Sequence, residues 1–152
     1  MLQFVQCLSF KYGNICVFAS PKVIEKISIL HNKFLEEKPN NLTKQCIAQI
    51  QEYLMRKRQT FDCNFHLIGT EFEKLVWLET LKIPYAKVIT YKELAERIAR
   101  PKAFRAVANA LRKNRLPLLI PCHRVISSTG VGGYSAGLEI KKFFLFLEGM
   151  TF

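Results

Sequence analysis

The sequence contains no long apolar run. No stretch approaches the roughly 20 uninterrupted apolar residues that a membrane-spanning helix needs, and the N-terminus MLQFVQCLSF has no basic region ahead of an apolar segment. Repeats and low-complexity segments are also absent. We therefore expect a soluble, intracellular and cytoplasmic protein with no membrane partner. Its 152 residues suffice for one compact core or two small lobes.

The cysteines lack a regular pattern. There are five, an odd number, and no two form a CxxC pair, which argues against a disulfide framework and against a zinc ribbon. Reduced, buried thiols are therefore expected. A zinc site made of Cys7, Cys16, His31 and His66 is a weaker alternative, because the spacings fit no ligand knuckle. We expect neither a metal nor a cofactor.

Acidic residues are scarce in the C-terminal half. Residues 1–80 hold 10 basic and 8 acidic side chains, whereas residues 81–152 hold 13 and 4, so the net charges are +2 and +9. The basic half is the one expected to meet a polyanion. Charge alone is a weak signal, since solvated lysines also keep ordinary proteins soluble.

The N-terminal half predicts a hairpin followed by two helices. Alternating apolar residues indicate strands at Leu2–Phe10 and Ile15–Ala19, hinged at a Gly13-Asn14 turn. Apolar residues at helical spacing then predict helices over Pro21–Glu36 and Thr43–Arg56.

The next segments mark a boundary between two lobes. Thr60–Leu67 has an extended pattern, and Thr70 with Glu73 forms a capping box for a helix that ends before Pro84. We expect an α/β (α+β) fold. An N-terminal lobe of residues 1–68 contains the β-hairpin and its helices, and residues 69–152 form a second, mostly helical lobe.

The C-terminal half predicts a helix-turn-helix. Thr90 and Glu93 form a capping box for a helix over Tyr91–Ala99, and Pro101 suits the first turn of a second helix, Pro101–Asn114. On a helical wheel, Phe104, Val107 and Leu111 face a core. The opposite face is basic and small, with Lys102, Arg105, Ala106, Asn109, Ala110 and Lys113; a solvated helix face is the alternative interpretation.

Cys122 is the candidate nucleophile. Leu118-Leu119-Ile120 is short and wholly apolar, which predicts a buried strand ended by Pro121, with Cys122 just beyond it. A reactive thiol needs a base nearby, and His123 follows directly. Adjacent side chains of an extended segment point in opposite directions, so we expect a bridging water or a local turn between them.

The chain resembles the O6-alkylguanine-DNA alkyltransferases, also called methylated-DNA–protein-cysteine methyltransferases. The resemblance rests on IPCHRVISSTGVGGYSAG at 120–137, RAVANALRKN at 105–114, ITYKELA at 89–95 and LEG at 147–149. It is strong over residues 69–149. Members often have Gly at the positions of Ala86 and Ala99, and they often have Pro at the position of Arg115. Arg115 in place of this proline makes the chain after Asn114 less rigid.

The resemblance implies a role for each residue of the site. Cys122 is the acceptor, His123 its base through a water, and Glu148 the carboxylate that orients the histidine. Asn114 bridges the recognition helix to the active-site strand, and Tyr91 protonates the departing purine. The substrate pocket is expected to contain Val125, Val131, Gly132, Tyr134 and Ser135.

The resemblance also implies extrusion of the damaged nucleotide from double-stranded DNA. The second helix enters the minor groove, and Arg105 fills the gap left in the base stack. The residues expected at the DNA are Tyr91, Lys102, Arg105, Ala106, Asn109, Ala110, Arg112 and Lys113.

The function thus implied is DNA repair by a monomer. One alkyl group moves irreversibly from O6-alkylguanine, or more slowly from O4-alkylthymine, to Cys122 in a single turnover. Two alternatives stay open: a lesion-binding module without transfer, which Cys122 argues against, and a helix-turn-helix transcription factor, which leaves Cys122, His123 and Glu148 unexplained.

Overall fold

The computed structural model describes residues 3–32 and 35–152, and it confirms a mixed α+β fold. The chain divides into two compact units, Met1–His66 and Leu67–Phe152. The first contains β1 (Phe4–Phe10), β2 (Gly13–Ala19), β3 (Ile24–Leu30) and α1 (Asn41–Leu54). The second contains α2 (Glu71–Thr80), β4 (Ile89–Thr90), α3 (Tyr91–Arg97), α4 (Phe104–Arg112), a 3-10 turn (Cys122–Arg124), β5 (Val125–Ile126) and α5 (Leu138–Leu147).

The N-terminal hairpin is confirmed, with a shifted turn. The strands pair antiparallel in the order β1-β2-β3, and the chain reverses at Lys11-Tyr12 instead of Gly13-Asn14. Gly13 begins β2 with φ 137°, and a Cβ there would lie 2.4 Å from the Leu30 carbonyl oxygen. Gly13 is therefore needed for close strand approach. Leu2, the expected first strand residue, lies outside the described residues.

The helix predicted over Pro21–Glu36 is wrong. Its central part is the edge strand β3, whose Ile27 pairs with Val17 of β2. The Ser20 hydroxyl accepts hydrogen bonds from the backbone of Lys22 and Val23 and turns the chain back toward β2. The isoleucines that suggested a helical stripe are β-branched and fit a pleated surface equally well. Lys33 and Phe34 of this range lie outside the described residues.

A disulfide joins Cys7 to Cys16, so the expectation of reduced thiols is wrong for this pair. The antiparallel register places the two cysteines directly opposite each other, which single-chain spacing does not reveal. The disulfide also removes two of the four side chains of the zinc alternative. Among the described residues, no group of three or more His, Cys, Asp or Glu is arranged to hold a metal ion. No described helix has the length and apolarity to span a membrane.

The capping boxes of the second unit are confirmed. Thr70 and Glu73 start α2, and Thr90 and Glu93 start α3, each with both reciprocal hydrogen bonds. Helices α3 and α4 are joined by a tight turn through residues 98–103, as a helix-turn-helix requires. The second helix is shorter than predicted, because Pro101 and Lys102 belong to the turn and α4 begins at Phe104.

The segment before Cys122 is a tight turn, so the buried strand predicted there is wrong. Leu118 has φ 73°, and Ile120 forms only one isolated bridge, with Pro117. Asn114 replaces the missing strand partner: its Oδ1 accepts from the Leu116 backbone at 2.9 Å, and its Nδ2 donates to the Ile120 carbonyl at 3.0 Å. The side chain thus satisfies backbone groups that a strand would have paired.

Candidate active site

Cys122 lines a pocket in the second unit. The thiol is buried, with 6% of the residue exposed, and Asn114 Nδ2 donates to its sulfur at 3.2 Å. Asn114 therefore links the end of α4 to the 3-10 turn that carries the thiol. The lining residues are Tyr91, Ala108, Leu111, Arg112, Cys122, Gly133, Tyr134 and Ser135.

Glu148 binds donors from two segments, the 3-10 turn that carries Cys122 and the turn before β4. Its Oε2 lies 2.6 Å from His123 Nε2 and 3.2 Å from Arg124 Nη2, and its Oε1 accepts from Arg124 Nε at 2.9 Å. The Ala86 backbone amide donates to the same Oε1 at 3.0 Å. All three ionisable side chains are buried, so this is a charge cluster in which each polar group depends on its partners.

The cluster determines which ring nitrogen of His123 is basic. An ionised carboxylate only accepts hydrogen bonds, so Nε2 carries the proton that is shared with Glu148. Burial lowers the pKa of His123, against the opposing effect of Glu148, so the ring is neutral and Nδ1 holds a lone pair. No described side chain or backbone group bonds to Nδ1. Nδ1 is therefore a general-base atom without a protein partner.

Cys122 rests as a thiol. Burial raises its pKa, and the Asn114 hydrogen bond and the nearby Lys141 charge only partly oppose this effect. A thiol is a poor nucleophile, so a reaction at this sulfur requires proton removal at the moment of attack. A 3-10 turn buries Cys122 and His123 together, which is the local turn expected from the sequence as one of two alternatives.

Lys141 is a site residue that sequence reasoning missed. It is fully buried on α5, and its Nζ donates to the carbonyls of Val125 at 2.7 Å and Gly133 at 2.9 Å. These bonds tie the pocket loop to β5, and burial lowers the Lys141 pKa to about 8. The sequence did contain a signal for this role. Lys141 and Glu148 are seven residues apart, which places them on the same helix face as the buried Phe144.

The pocket loop is held against α3. The Gly133 amide donates to the Tyr91 hydroxyl at 3.2 Å, and a Cβ at Gly132, where φ is 77°, would lie 2.6 Å from that hydroxyl. Burial raises the pKa of Tyr91 and that of Tyr134. Of the five expected pocket residues, Tyr134 and Ser135 line the pocket.

The other three expected pocket residues lie outside the lining. Val125 is buried in β5, where it pairs with Ile89 of β4, and Gly132 contacts Tyr91 from the loop. Val131 is partly buried in the same loop and is likewise not in the lining. The structure adds Ala108 and Leu111, which helical periodicity alone could not place beside the thiol, and Gly133 of the same loop also lines the pocket.

The basic face of α4 is largely as predicted, with one correction. Arg105, Ala106, Asn109, Arg112 and Lys113 are exposed, and so is Lys102 in the preceding turn. Ala110, however, is buried, and its carbonyl accepts a hydrogen bond from Trp77 Nε1 at 2.9 Å. It is a packing residue against α2 and not a surface residue.

Two of the exposed basic residues have partners on the protein. Arg112 Nη1 donates to Asn109 Oδ1 at 3.1 Å, and Lys113 Nζ lies 3.4 Å from Glu73 Oε2. Because Arg112 also lines the Cys122 pocket, it connects the exposed face of α4 with the thiol site.

Comparison with known proteins gives consistent matches. A family model described as 6-O-methylguanine DNA methyltransferase, DNA binding domain, matches residues 71–150. The methylated-DNA–protein-cysteine methyltransferase of Methanosarcina barkeri is 37% identical over 143 residues, covering 90% of each chain. The Mycobacterium tuberculosis O6-methylguanine methyltransferase crystal structure has a TM-score of 0.86 at 28% identity, covering 97% of this chain and 93% of that one. The structure of Mycobacterium tuberculosis OGT in complex with DNA has a TM-score of 0.85 at 29% identity, covering 95% and 91%.

Proposed function

This chain belongs to the methylated-DNA–protein-cysteine methyltransferase family, and we propose that it repairs DNA by irreversible transfer of the alkyl group of O6-alkylguanine to the Cys122 sulfur. The observation that carries the proposal is the buried Cys122 thiol, which lines a pocket, accepts a hydrogen bond from Asn114 and is followed in the chain by a neutral histidine with a free basic nitrogen. The product is a thioether, so each protein molecule reacts once.

The chemistry needs one proton transfer at each end of the reaction. His123 Nδ1 accepts the Cys122 proton through a water, and Glu148 stabilises the imidazolium that forms. The sulfur attacks the alkyl carbon, the carbon–O6 bond breaks, and its electron pair stays on the guanine. Tyr91, which lines the pocket, then protonates the departing base and neutralises its negative charge.

The alkyl group of a paired guanine is inaccessible to a buried thiol, so the nucleotide must leave the base stack. We propose that α4 enters the minor groove of double-stranded DNA, with exposed Ala106 allowing close approach and Arg105 filling the vacated space. The net charge of +9 over residues 81–152 supports binding to phosphates. Both activities would reside in residues 69–152.

Further properties belong to the same proposal. A monomer suffices, because one chain supplies the thiol, its base and the basic helix. O4-alkylthymine would react more slowly, since the pocket must then hold a pyrimidine, and the protein would act in the cytoplasm or wherever the DNA is.

Intact-mass measurement tests the proposal directly. The protein is incubated with O6-benzylguanine or with a duplex that contains O6-methylguanine, and we expect a gain of one alkyl group, located on Cys122 by peptide mapping. Cys122→Ala should gain none while its affinity for the duplex stays nearly unchanged, and Cys63→Ala should react like the parent. Tight lesion binding without any mass gain would overturn transfer and favour a lesion-binding module.

A further inference from the structure

Trp77 connects α2 to the C-terminal end of α4. The indole is buried, with 3% of the residue exposed, and its Nε1 donates to the Ala110 carbonyl at 2.9 Å. Gly69 leaves room for the ring, since a Cβ at this glycine would lie 2.7 Å from Trp77 Cη2. The ring is therefore tightly enclosed, and its N–H is directed at one backbone atom of another helix.

The hydrogen bond from Trp77 reaches a part of α4 that is weakly closed by its own backbone. The Lys113 amide divides its hydrogen bond between the carbonyls of Asn109, at 3.3 Å, and Ala110, at 3.2 Å. Glu73, one turn before Trp77, adds a second contact from α2, because its Oε2 lies 3.4 Å from Lys113 Nζ. The Lys113 side chain is exposed, so this ion pair contributes little. The buried bond from Trp77 is the stronger of the two contacts.

Asn114 transmits the position of this helix end to the thiol. It follows Ala110 by four residues, and its Nδ2 donates to the Cys122 sulfur at 3.2 Å and to the Ile120 carbonyl at 3.0 Å. A hydrogen bond weakens steeply when its angle or its length changes. The contact between Asn114 and the sulfur therefore depends on where α4 ends, and Trp77 holds that end.

We propose that Trp77 is a positioning residue for the alkyl transfer, because its indole N–H fixes the end of α4 and thereby holds the Asn114 amide against the Cys122 sulfur. This inference rests on the transfer to Cys122 proposed above. Trp77 is not among the residues that line the Cys122 pocket, so it does not act on the reacting atoms directly. Its effect on the rate comes through Asn114.

A double-mutant cycle tests this role. Trp77→β-(3-benzothienyl)alanine, introduced by amber suppression, replaces the indole N–H with sulfur and keeps nearly the same ring shape. Transfer from free O6-benzylguanine should slow about three- to tenfold, as the loss of one hydrogen bond predicts. In an Asn114→Ala background the same replacement should slow transfer no further, because the contact it supports is already absent. Equal slowing in both backgrounds would overturn the proposal, and so would an unchanged rate in the parent background.

A second measurement does not require transfer activity. The hydrogen bond from Asn114 lowers the pKa of Cys122 against the effect of burial. Loss of the Trp77 N–H should therefore move the pH profile of Cys122 carboxymethylation by iodoacetamide, followed by peptide mapping, to higher pH. An unmoved profile would overturn the proposal. A shifted profile in a protein whose parent transfers no alkyl group would overturn the proposed function and leave the control of the thiol by Trp77 standing.

Thr80→Val is the matched control for a loss of stability alone. It removes another buried hydrogen bond of α2, which Thr80 Oγ1 donates to the Val76 carbonyl at 2.7 Å. The transfer rate and the carboxymethylation profile should both stay as in the parent, and an equal change in the control would assign the effect of Trp77 to folding. Trp77→Phe, which also lacks the N–H, repeats both measurements if the protein with the analogue does not fold.

Discussion

Burial moves the pKa values of Cys122 and His123 in opposite directions, which defines the acid and the base at the scale of single residues. The thiol keeps its proton because its pKa is raised, and the imidazole stays neutral because its pKa is lowered. The proton therefore moves only when the alkyl carbon is in place. Glu148 keeps the basic nitrogen directed away from itself.

The first prediction concerns the pH dependence of the reaction with free O6-benzylguanine. Because the pKa of His123 is lowered, the imidazole is still neutral at pH 6.5, the ordinary pKa of a histidine. Because the pKa of Cys122 is raised, the thiol is still protonated at pH 9.0, the ordinary pKa of a cysteine. The rate of reaction with O6-benzylguanine should be constant between pH 6.5 and pH 9.0. It should fall only below pH 6.5 and rise only above pH 9.0. Stopped-flow rates across this range check it, and a decline centred at or above 6.5 would contradict it.

The second prediction concerns the buried charge cluster. Glu148→Ala leaves the Arg124 guanidinium buried without its carboxylate, so the free energy of unfolding should fall by about 3–5 kcal/mol. Glu139→Ala is the matched control, because Glu139 is exposed in the first turn of the same helix and should change stability by no more than about 0.5 kcal/mol. Urea denaturation measures both. Equal effects would mean that the cluster contributes nothing to folding.

At the scale of elements, two turns contain alanine in a left-handed conformation. Ala86 has φ 63° and Ala99 has φ 59°. Ala86 presents its amide to Glu148, and Ala99 ends the first helix of the helix-turn-helix. An L-residue with a Cβ is strained in this region, so both turns are less stable than their glycine versions.

The third prediction follows from this strain. Ala99→Gly should raise the free energy of unfolding by about 0.5–1 kcal/mol, because the strain exceeds the entropic cost of glycine. Ala106→Gly, at an exposed helical position of α4, should lower it by up to about 1 kcal/mol. Thermal melting of the two variants compares the same chemical change in two conformations, and a loss of stability in both would show that Ala99 is unstrained.

The fourth prediction concerns the recognition helix. Arg105 is exposed in the first turn of α4 and does not line the Cys122 pocket, so Arg105→Ala should slow repair of a methylated duplex much more than reaction with free O6-benzylguanine. Lys142→Ala, an exposed change of equal charge on α5, should alter neither rate strongly. Parallel single-turnover measurements provide both rates. Equal slowing of both reactions by the Arg105 change would assign this residue to the chemistry instead.

At the scale of the whole molecule, the fifth prediction is that the alkylated protein is less stable than the free form. An added methyl at the buried sulfur overpacks the pocket at a cost of roughly 1–3 kcal/mol, and it weakens the hydrogen bond from Asn114. The melting temperature should drop by several degrees, and further for a benzyl group. Calorimetry and hydrogen exchange of residues 105–122 check this, and unchanged values in the alkylated forms would mean that the pocket accepts the product without strain.

What the sequence determined by itself was local. The capping boxes at Thr70 and Thr90 place helix starts correctly, because the hydrogen bonds involved join residues three positions apart. The hairpin follows from alternation, and Cys122 with His123 follows from a motif that is contiguous in the chain. The same local reasoning wrongly predicted a helix over β3. A short apolar run is compatible with the periodicity of a helix and with that of a strand, and only the partner strand decides between them.

Only the tertiary structure decided the features that depend on distant partners. The Cys7–Cys16 disulfide depends on strand register, and the burial of Ala110 depends on the position of Trp77. The contacts of Glu148 with Arg124 and Ala86 span 24 and 62 residues. No periodicity in one segment encodes such contacts, because their free energy belongs to packing between elements and appears only when these elements meet.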